Sequence, residues 1–159
     1  MESIHEYRVE AIGAGGRNGV VHAEGILPAI SFSPPPEFQG EVGRWTPEHF
    51  LVAAVASCFI STFEGIAQTS HLEFDSLRLA AEGVLTKQDS GWRFSEIRLR
   101  PTVTLRKEED RDRAVRLLEK AEQSCLVARS LQCKVALFPA VKVETEVFVQ
   151  QEVEICDAK

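Results

Sequence analysis

No stretch of this sequence is rich in lysine and arginine, and acidic residues outnumber basic ones by 24 to 18. A formal charge of -6 and a pI near 5.3 leave no electrostatic footprint for nucleic acid or an anionic membrane surface. A long apolar run is missing too. The most apolar stretch, Phe50–Ile60, falls well short of the roughly 20 residues that a bilayer-crossing helix needs. The opening MESIHEYRVEAIG places acidic and polar residues where a signal peptide requires an apolar segment. A cytoplasmic location is therefore expected, with neither nucleic acid nor membrane as partner. There is no CxxC and no Cys–His pair at metal-ligand spacing, so no zinc site is expected. Internal repeats and low-complexity segments are absent as well.

What is present is one domain's worth of chain. The 159 residues, 44% hydrophobic and 26% charged, suit a single globular domain spanning 1–159 that buries its core without disulfide staples. Four cysteines occur: Cys58, Cys125, Cys133 and Cys156. In a reducing compartment structural disulfides are rare, which leaves redox chemistry, metal binding or inert packing for them.

The pattern of elements is α+β. Tyr7, Val9 and Ala11 alternate with charged residues, and the Gly13–Gly19 segment is a turn. Val20–Ala23 and Ala29–Phe32 follow as short strands, and Pro34–Pro36 with Gly40–Gly43 forms an irregular loop. Thr46-Pro47-Glu48 then reads as N-cap, first helical residue and first-turn acid. The helix should run to about Ser70. From Phe50 to Phe63 it is apolar or small on every side, the pattern of a helix buried all round. Residues 73–105 read as two long antiparallel strands turning at Gln88–Gly91, with Arg98 and Arg100 on a solvated face. A second, amphipathic helix is expected over about Glu108–Ser130, with Ala114, Leu117, Leu118, Ala121, Cys125 and Ala128 on its apolar face. A strand-like tail from Lys134 to Val149 is punctuated by Pro139. Antiparallel sheet segregated from the helices is the expected arrangement.

Cys58 lies deep in the first helix and Cys125 on the apolar face of the second. Packed helices could bring them within disulfide distance, or both could be small core residues, since free cysteine is among the most buried types. A reactive thiol must ionise, and apolar burial opposes that. Cys58 stands about three turns from the helix N-terminus, beyond the useful reach of its dipole. A cation must then come from elsewhere. Arg17, in the Gly-Gly-Arg-Asn-Gly turn, is the leading candidate; a solvated turn arginine is the alternative. Arg44 is a second, weaker one. Glu48 can pair with an arginine brought into an apolar site, or simply favour the helix start. Ten residues of helix place Glu48 about 15 Å from Cys58. Either the helix bends, or Arg17 and Glu48 act on Cys58 of a symmetry-related subunit, and so apolar a helix favours the second.

Gly15-Gly-Arg-Asn-Gly19, Thr46-Pro-Glu-His-Phe-Leu-Val-Ala-Ala-Val-Ala-Ser-Cys-Phe59 and Ala121-Glu-Gln-Ser-Cys-Leu126 together resemble the OsmC/Ohr family of organic hydroperoxide resistance proteins and osmotically inducible peroxidases. The Leu126-Val-Ala-Arg-Ser130 segment, where the Ohr branch has Cys-Pro, is closer to an OsmC-like branch. The resemblance implies an intertwined α+β homodimer, antiparallel sheets around two long helices, with active sites at the subunit interface. It implies a thiol-dependent peroxidase in which Cys58 is the peroxidatic cysteine and Cys125 the resolving one. Arg17 would activate the thiolate and Glu48 would orient that arginine. An organic hydroperoxide would be the substrate and an external dithiol, which in the family can be of lipoyl type, the reductant, with no metal or organic cofactor. Phe50, Phe59 and Phe63 with their partners would make an apolar cleft that favours organic hydroperoxides, or be plain core, the commoner use of such aromatics. The alternative is a redox-inactive dimer of the same fold that binds an apolar ligand. Cys133 and Cys156 receive no role; Cys156, in a polar tail, is expected to be exposed.

Overall fold

A computed structural model describes residues 3–144; Cys156 and the end of the expected tail strand lie outside the described residues. Strands β1 (Glu10–Gly15), β2 (Asn18–Ala23) and β3 (Ile26–Phe32) form an antiparallel meander. β1 begins after Tyr7 and Val9, so those two, expected on the strand, precede it and are exposed. The tight turn is confined to Gly16 and Arg17, because β1 continues through Gly15. Every residue of β1 is exposed, as is all of β3 before Phe32. A sheet that leaves Ile12, Ile26, Leu27 and Ile30 in water has no packing partner among the described residues.

The proline-rich loop is not wholly irregular. Pro36–Phe38 makes one 3-10 turn, and the loop closes tightly around Ser33, whose Oγ accepts from the Glu41 N–H at 2.8 Å. Gly40 sits so close to Pro34 that a Cβ there would meet the Pro34 carbonyl oxygen at 1.6 Å. This loop delivers Trp45 and Thr46 to the start of helix α1 (Pro47–Thr69).

α1 starts where the sequence predicts. The Thr46 side chain accepts from the His49 N–H, and Pro47 occupies the first turn. Its Val55, Phe59, Phe63 and Ala67 form one i, i+4 row that is fully buried. Within the chain the helix is not buried all round, however. Ala54, Ser57, Ser61 and Gly65, on the other side, are exposed. By length and composition α1, at 23 residues, could also cross a membrane, contrary to the reading from Phe50–Ile60 alone. Its apolar row nevertheless packs into this chain's own core.

β4 (Ser76–Gln88) and β5 (Gly91–Leu105) form the expected long hairpin. β5 supplies Ile97, Leu99, Val103 and Leu105 to the core. Arg98 and Arg100 sit in an ionic lattice with Glu82 and Glu96, consistent with a largely solvated face. A 3-10 turn at Glu108–Asp110 leads into α2 (Arg111–Ser124), which packs Ala114, Leu118 and Ala121 against α1 and the sheet. Here the expected single helix to Ser130 is wrong. α2 stops at Cys125, which adopts extended backbone (φ -65°, ψ 115°), and a separate single turn, α3 (Leu126–Arg129), follows. β6 (Lys134–Leu137) and β7 (Ala140–Val143) then both run parallel to β5, one after the other along the same edge. The fold is α+β as expected, but this second sheet is mixed rather than antiparallel throughout.

Candidate active site

The break after Ser124 puts Cys125, itself fully buried, beside half-buried Cys58 on α1. Both thiols are free. Burial pushes the Cys58 thiol up, but hydrogen-bonding groups around it more than offset that. These are the Val127 N–H, the Cys125 thiol, the Thr62 hydroxyl and the Leu126 N–H, and together they hold Cys58 below the ordinary thiol value of 9.0. Thr62 has a competing acceptor. Its proton goes to the Cys58 carbonyl at 2.8 Å, whereas Oγ1 stands 4.0 Å from Sγ.

Cys125 moves the opposite way. Burial, only partly relieved by the Ala128 N–H and reinforced by the neighbouring Cys58 sulfur, pushes it up to about 11. The two thiols thus divide one proton unevenly: Cys58 ionises first while Cys125 stays protonated. Within one chain, no cation is among the groups that lower Cys58. Backbone N–H groups at the first turn of α3 act instead, and they point at the sulfur only because the helix breaks at Cys125. Nothing in Gln123-Ser-Cys-Leu126 announces that break, since neither proline nor glycine is there. Thr62, one turn on from Cys58, was legible by spacing alone.

Arg17 and Glu48 come together elsewhere. They share a small cavity of about 200 Å³ with Phe32, Pro34, Pro35, Phe38 and Pro47. Arg17 has a left-handed backbone (φ 69°) and donates from Nη1 to the Phe38 carbonyl oxygen at 2.7 Å. Glu48 Oε2 is buried and, among the described residues, has no hydrogen-bond partner. A buried carboxylate oxygen without a donor is costly, so this site is incomplete as one chain presents it. Neither residue is among the groups acting on Cys58 of the same chain. Arg44 pairs with Glu41 at 3.3 Å on the surface and lines neither cavity to which Glu48 belongs.

A larger cavity of about 570 Å³ adjoins Glu48, between the start of α1 and the β4–β5 hairpin. Its walls carry Phe38, Val52, Leu85, Trp92 and Phe94, with Glu37, Thr46, Glu48, His49 and Glu82 as polar groups. The expected cleft aromatics do not line it. Phe59 and Phe63 are fully buried in the core, and Phe50 stacks on Trp45 at 5.7 Å.

Comparison with known proteins gives a consistent picture. The family model described as OsmC-like protein matches residues 39–137. An uncharacterized protein, YmaD, from Bacillus subtilis (strain 168) is 31% identical over 138 residues, which cover 84% of this chain and 91% of that protein. Among solved structures, an organic hydroperoxide resistance protein OsmC from Legionella pneumophila superposes with a TM-score of 0.72 at 24% identity, over 89% of this chain and all of the other. An OsmC-like protein of unknown function from Vibrio cholerae superposes with a TM-score of 0.76 at 20% identity, over 86% of this chain and 99% of the other.

Proposed function

We propose, from the premise that this chain belongs to the OsmC-like protein family, that it is a cysteine-based peroxidase reducing organic hydroperoxides to alcohols in the cytoplasm. The observation that carries this reading is the unequal thiol pair. Cys58 is lowered and half-exposed, as a nucleophile must be. Cys125 is close enough to interact with it and keeps its proton until needed. A redox-inactive ligand carrier has no use for that asymmetry.

The Cys58 thiolate attacks the distal oxygen of the hydroperoxide. The O–O bond breaks, sulfur loses two electrons to become a sulfenic acid, and the departing alkoxide takes up a proton to leave as the alcohol. The Cys125 sulfur then attacks the sulfenic sulfur, forming an S–S bond and releasing water. An external dithiol, of lipoyl type in this reading, restores both thiols by exchange and is itself oxidised to a disulfide. The part of Arg17 and Glu48 is to complete the site across a homodimer. The buried, unpartnered Glu48 oxygen and the exposed β1–β3 sheet both support a second copy of the chain at this surface. Arg17 of one subunit would then stabilise charge at Cys58 of the other, with Glu48 holding the guanidinium.

One equivalent of cumene hydroperoxide should produce a Cys58–Cys125 bridge, detected by mass spectrometry of peptides from the non-reduced protein. Cys58→Ser should abolish turnover with a dithiol. Full turnover by that variant would sink the peroxidase reading. Mixing inactive Arg17→Ala and Cys58→Ser chains under exchange conditions should recover part of the activity, because one composite site then has both groups.

A further inference from the structure

The third helical residue of a capping box is ordinarily Glu or Gln. Here it is His49. Its Nδ1 lies 3.3 Å from the Thr46 backbone nitrogen and 3.0 Å from Thr46 Oγ1, which in turn accepts from the His49 N–H at 3.2 Å. A backbone N–H can only donate, so Nδ1 must present its lone pair, and the neutral ring carries its proton on Nε2. Trp45 meets the imidazole edge-on at 6.0 Å and is itself stacked on Phe50. The ring is therefore held from two directions, by a cap whose Thr46 is buried and by an aromatic neighbour.

That ring lines the 570 Å³ cavity, a volume in the range of small-molecule sites. The facing wall, from the β4–β5 hairpin, carries Leu85, Trp92 and Phe94. Glu82 at the rim is engaged with Arg98 and Arg100, and an ionised Glu48 can only accept. Among the described residues no group bonds His49 Nε2. A largely apolar cavity whose carboxylates only accept, with the exposed, tautomer-locked His49 Nε2–H as a donor among its lining side chains, suits one kind of guest: an elongated apolar molecule bearing an acceptor oxygen away from its reacting end.

We propose that His49 is a specificity-determining residue whose Nε2–H holds an acyl or ester oxygen of the organic hydroperoxide in this cavity. The proposal rests on the peroxidase reading for its reaction but not for its binding step. The probes are methyl linoleate hydroperoxide, which carries such an oxygen, and cumene hydroperoxide, which does not. His49→Glu keeps the acceptor that caps Thr46 but has no N–H when ionised. His49→Gln keeps both an acceptor and a donor. The ratio of kcat/KM for the ester over cumene hydroperoxide should fall about tenfold in His49→Glu, through KM, which matches the loss of one hydrogen bond. His49→Gln should recover most of it. An unchanged ratio in His49→Glu, or equal losses in both variants on both substrates, would overturn the proposal. Binding of the reduced ester, methyl hydroxyoctadecadienoate, followed by tryptophan fluorescence, needs no turnover. Weaker binding in His49→Glu supports the role of His49 even if neither peroxide is consumed, an outcome that would remove only the peroxidase reading; equal binding in wild type and His49→Glu overturns it.

Discussion

Cys58 and Cys125 form an unequal pair in which the partly exposed sulfur ionises and the fully buried one keeps the proton. Burial is what chiefly raises Cys125 to about 11 and the Val127 N–H what chiefly lowers Cys58, and each sulfur adds to the other's shift.

The first consequence is a reactivity profile. Alkylation of Cys58 by iodoacetamide, followed peptide by peptide against pH, should reach half its plateau rate below pH 9.0, while Cys125 stays unmodified well above that. Cys125→Ala removes a donor to Cys58 and should move the Cys58 midpoint upward. Cys125→Ser, with an O–H in the same place, should move it less. A wild-type midpoint at or above 9.0 would mean that the surrounding N–H groups do not outweigh burial.

Stability at alkaline pH should carry the opposite sign from the usual paired carboxylate. Cys125 has a folded value raised from 9.0 to about 11. An acid with a raised folded value binds its proton more tightly in the native state. Its contribution is therefore complete below pH 9 and is lost as pH climbs through 11. Cys58, lowered, contributes most above 9 and loses that contribution as pH falls through its folded value. Urea unfolding between pH 8 and 11 should show wild type losing stability relative to Cys125→Ala across that window. Parallel curves for the two proteins would contradict the assignment.

Gly40 and Gly43 make a matched pair for the loop that feeds α1. A Cβ on Gly40 would collide with the Pro34 carbonyl oxygen, which is backbone and cannot swing aside. Gly43 has a left-handed backbone (φ 79°) but open space around its Cα. Gly43→Ala should cost only the conformational penalty, about 1–2 kcal/mol. Gly40→Ala should cost more, because the loop must rebuild. At roughly 2–4 °C per kcal/mol for a chain of this size, calorimetry separates the two easily. A smaller drop in Tm for Gly40→Ala than for Gly43→Ala would show that the loop is not closed as described.

Much of this could be read from local chemistry. Thr46-Pro47 marks the start of α1, Gln88–Gly91 marks the hairpin turn, and the spacing of Ala114, Leu118 and Ala121 marks the buried face of α2. Each depends on residues close in sequence, which is why each was legible. The break at Cys125 was not, because no residue there resists a helix; packing decides it. The parallel setting of β6 and β7 on β5 is likewise a long-range matter, invisible to alternation in a four-residue strand. At the site, Cys58 and Cys125 read by themselves as core residues, and Arg17 as a solvated turn arginine; the family resemblance is what singles them out together with Glu48. The Val127 and Leu126 N–H groups carry no residue-type signal at all. His49 hid behind its neighbour, since a histidine in a capping box looks like an ordinary helix start. Phe59 and Phe63 misled because apolar residues on a helix look the same whether they face a core or a cleft.

Cys125 belongs to neither α2 nor α3. A residue inside a helix that must turn its side chain strains the i, i+4 ladder on either side of it. It is the joint between α2 and the single turn α3, its N–H donating to the Glu122 carbonyl at 3.3 Å and its own carbonyl accepting from the Arg129 N–H at 3.0 Å. With the backbone pinned on both sides, bringing its sulfur onto Cys58 asks only for rotation about the side chain's own bonds. The interrupted helix thus aims the thiol across to the neighbouring helix while its backbone stays bonded on both sides.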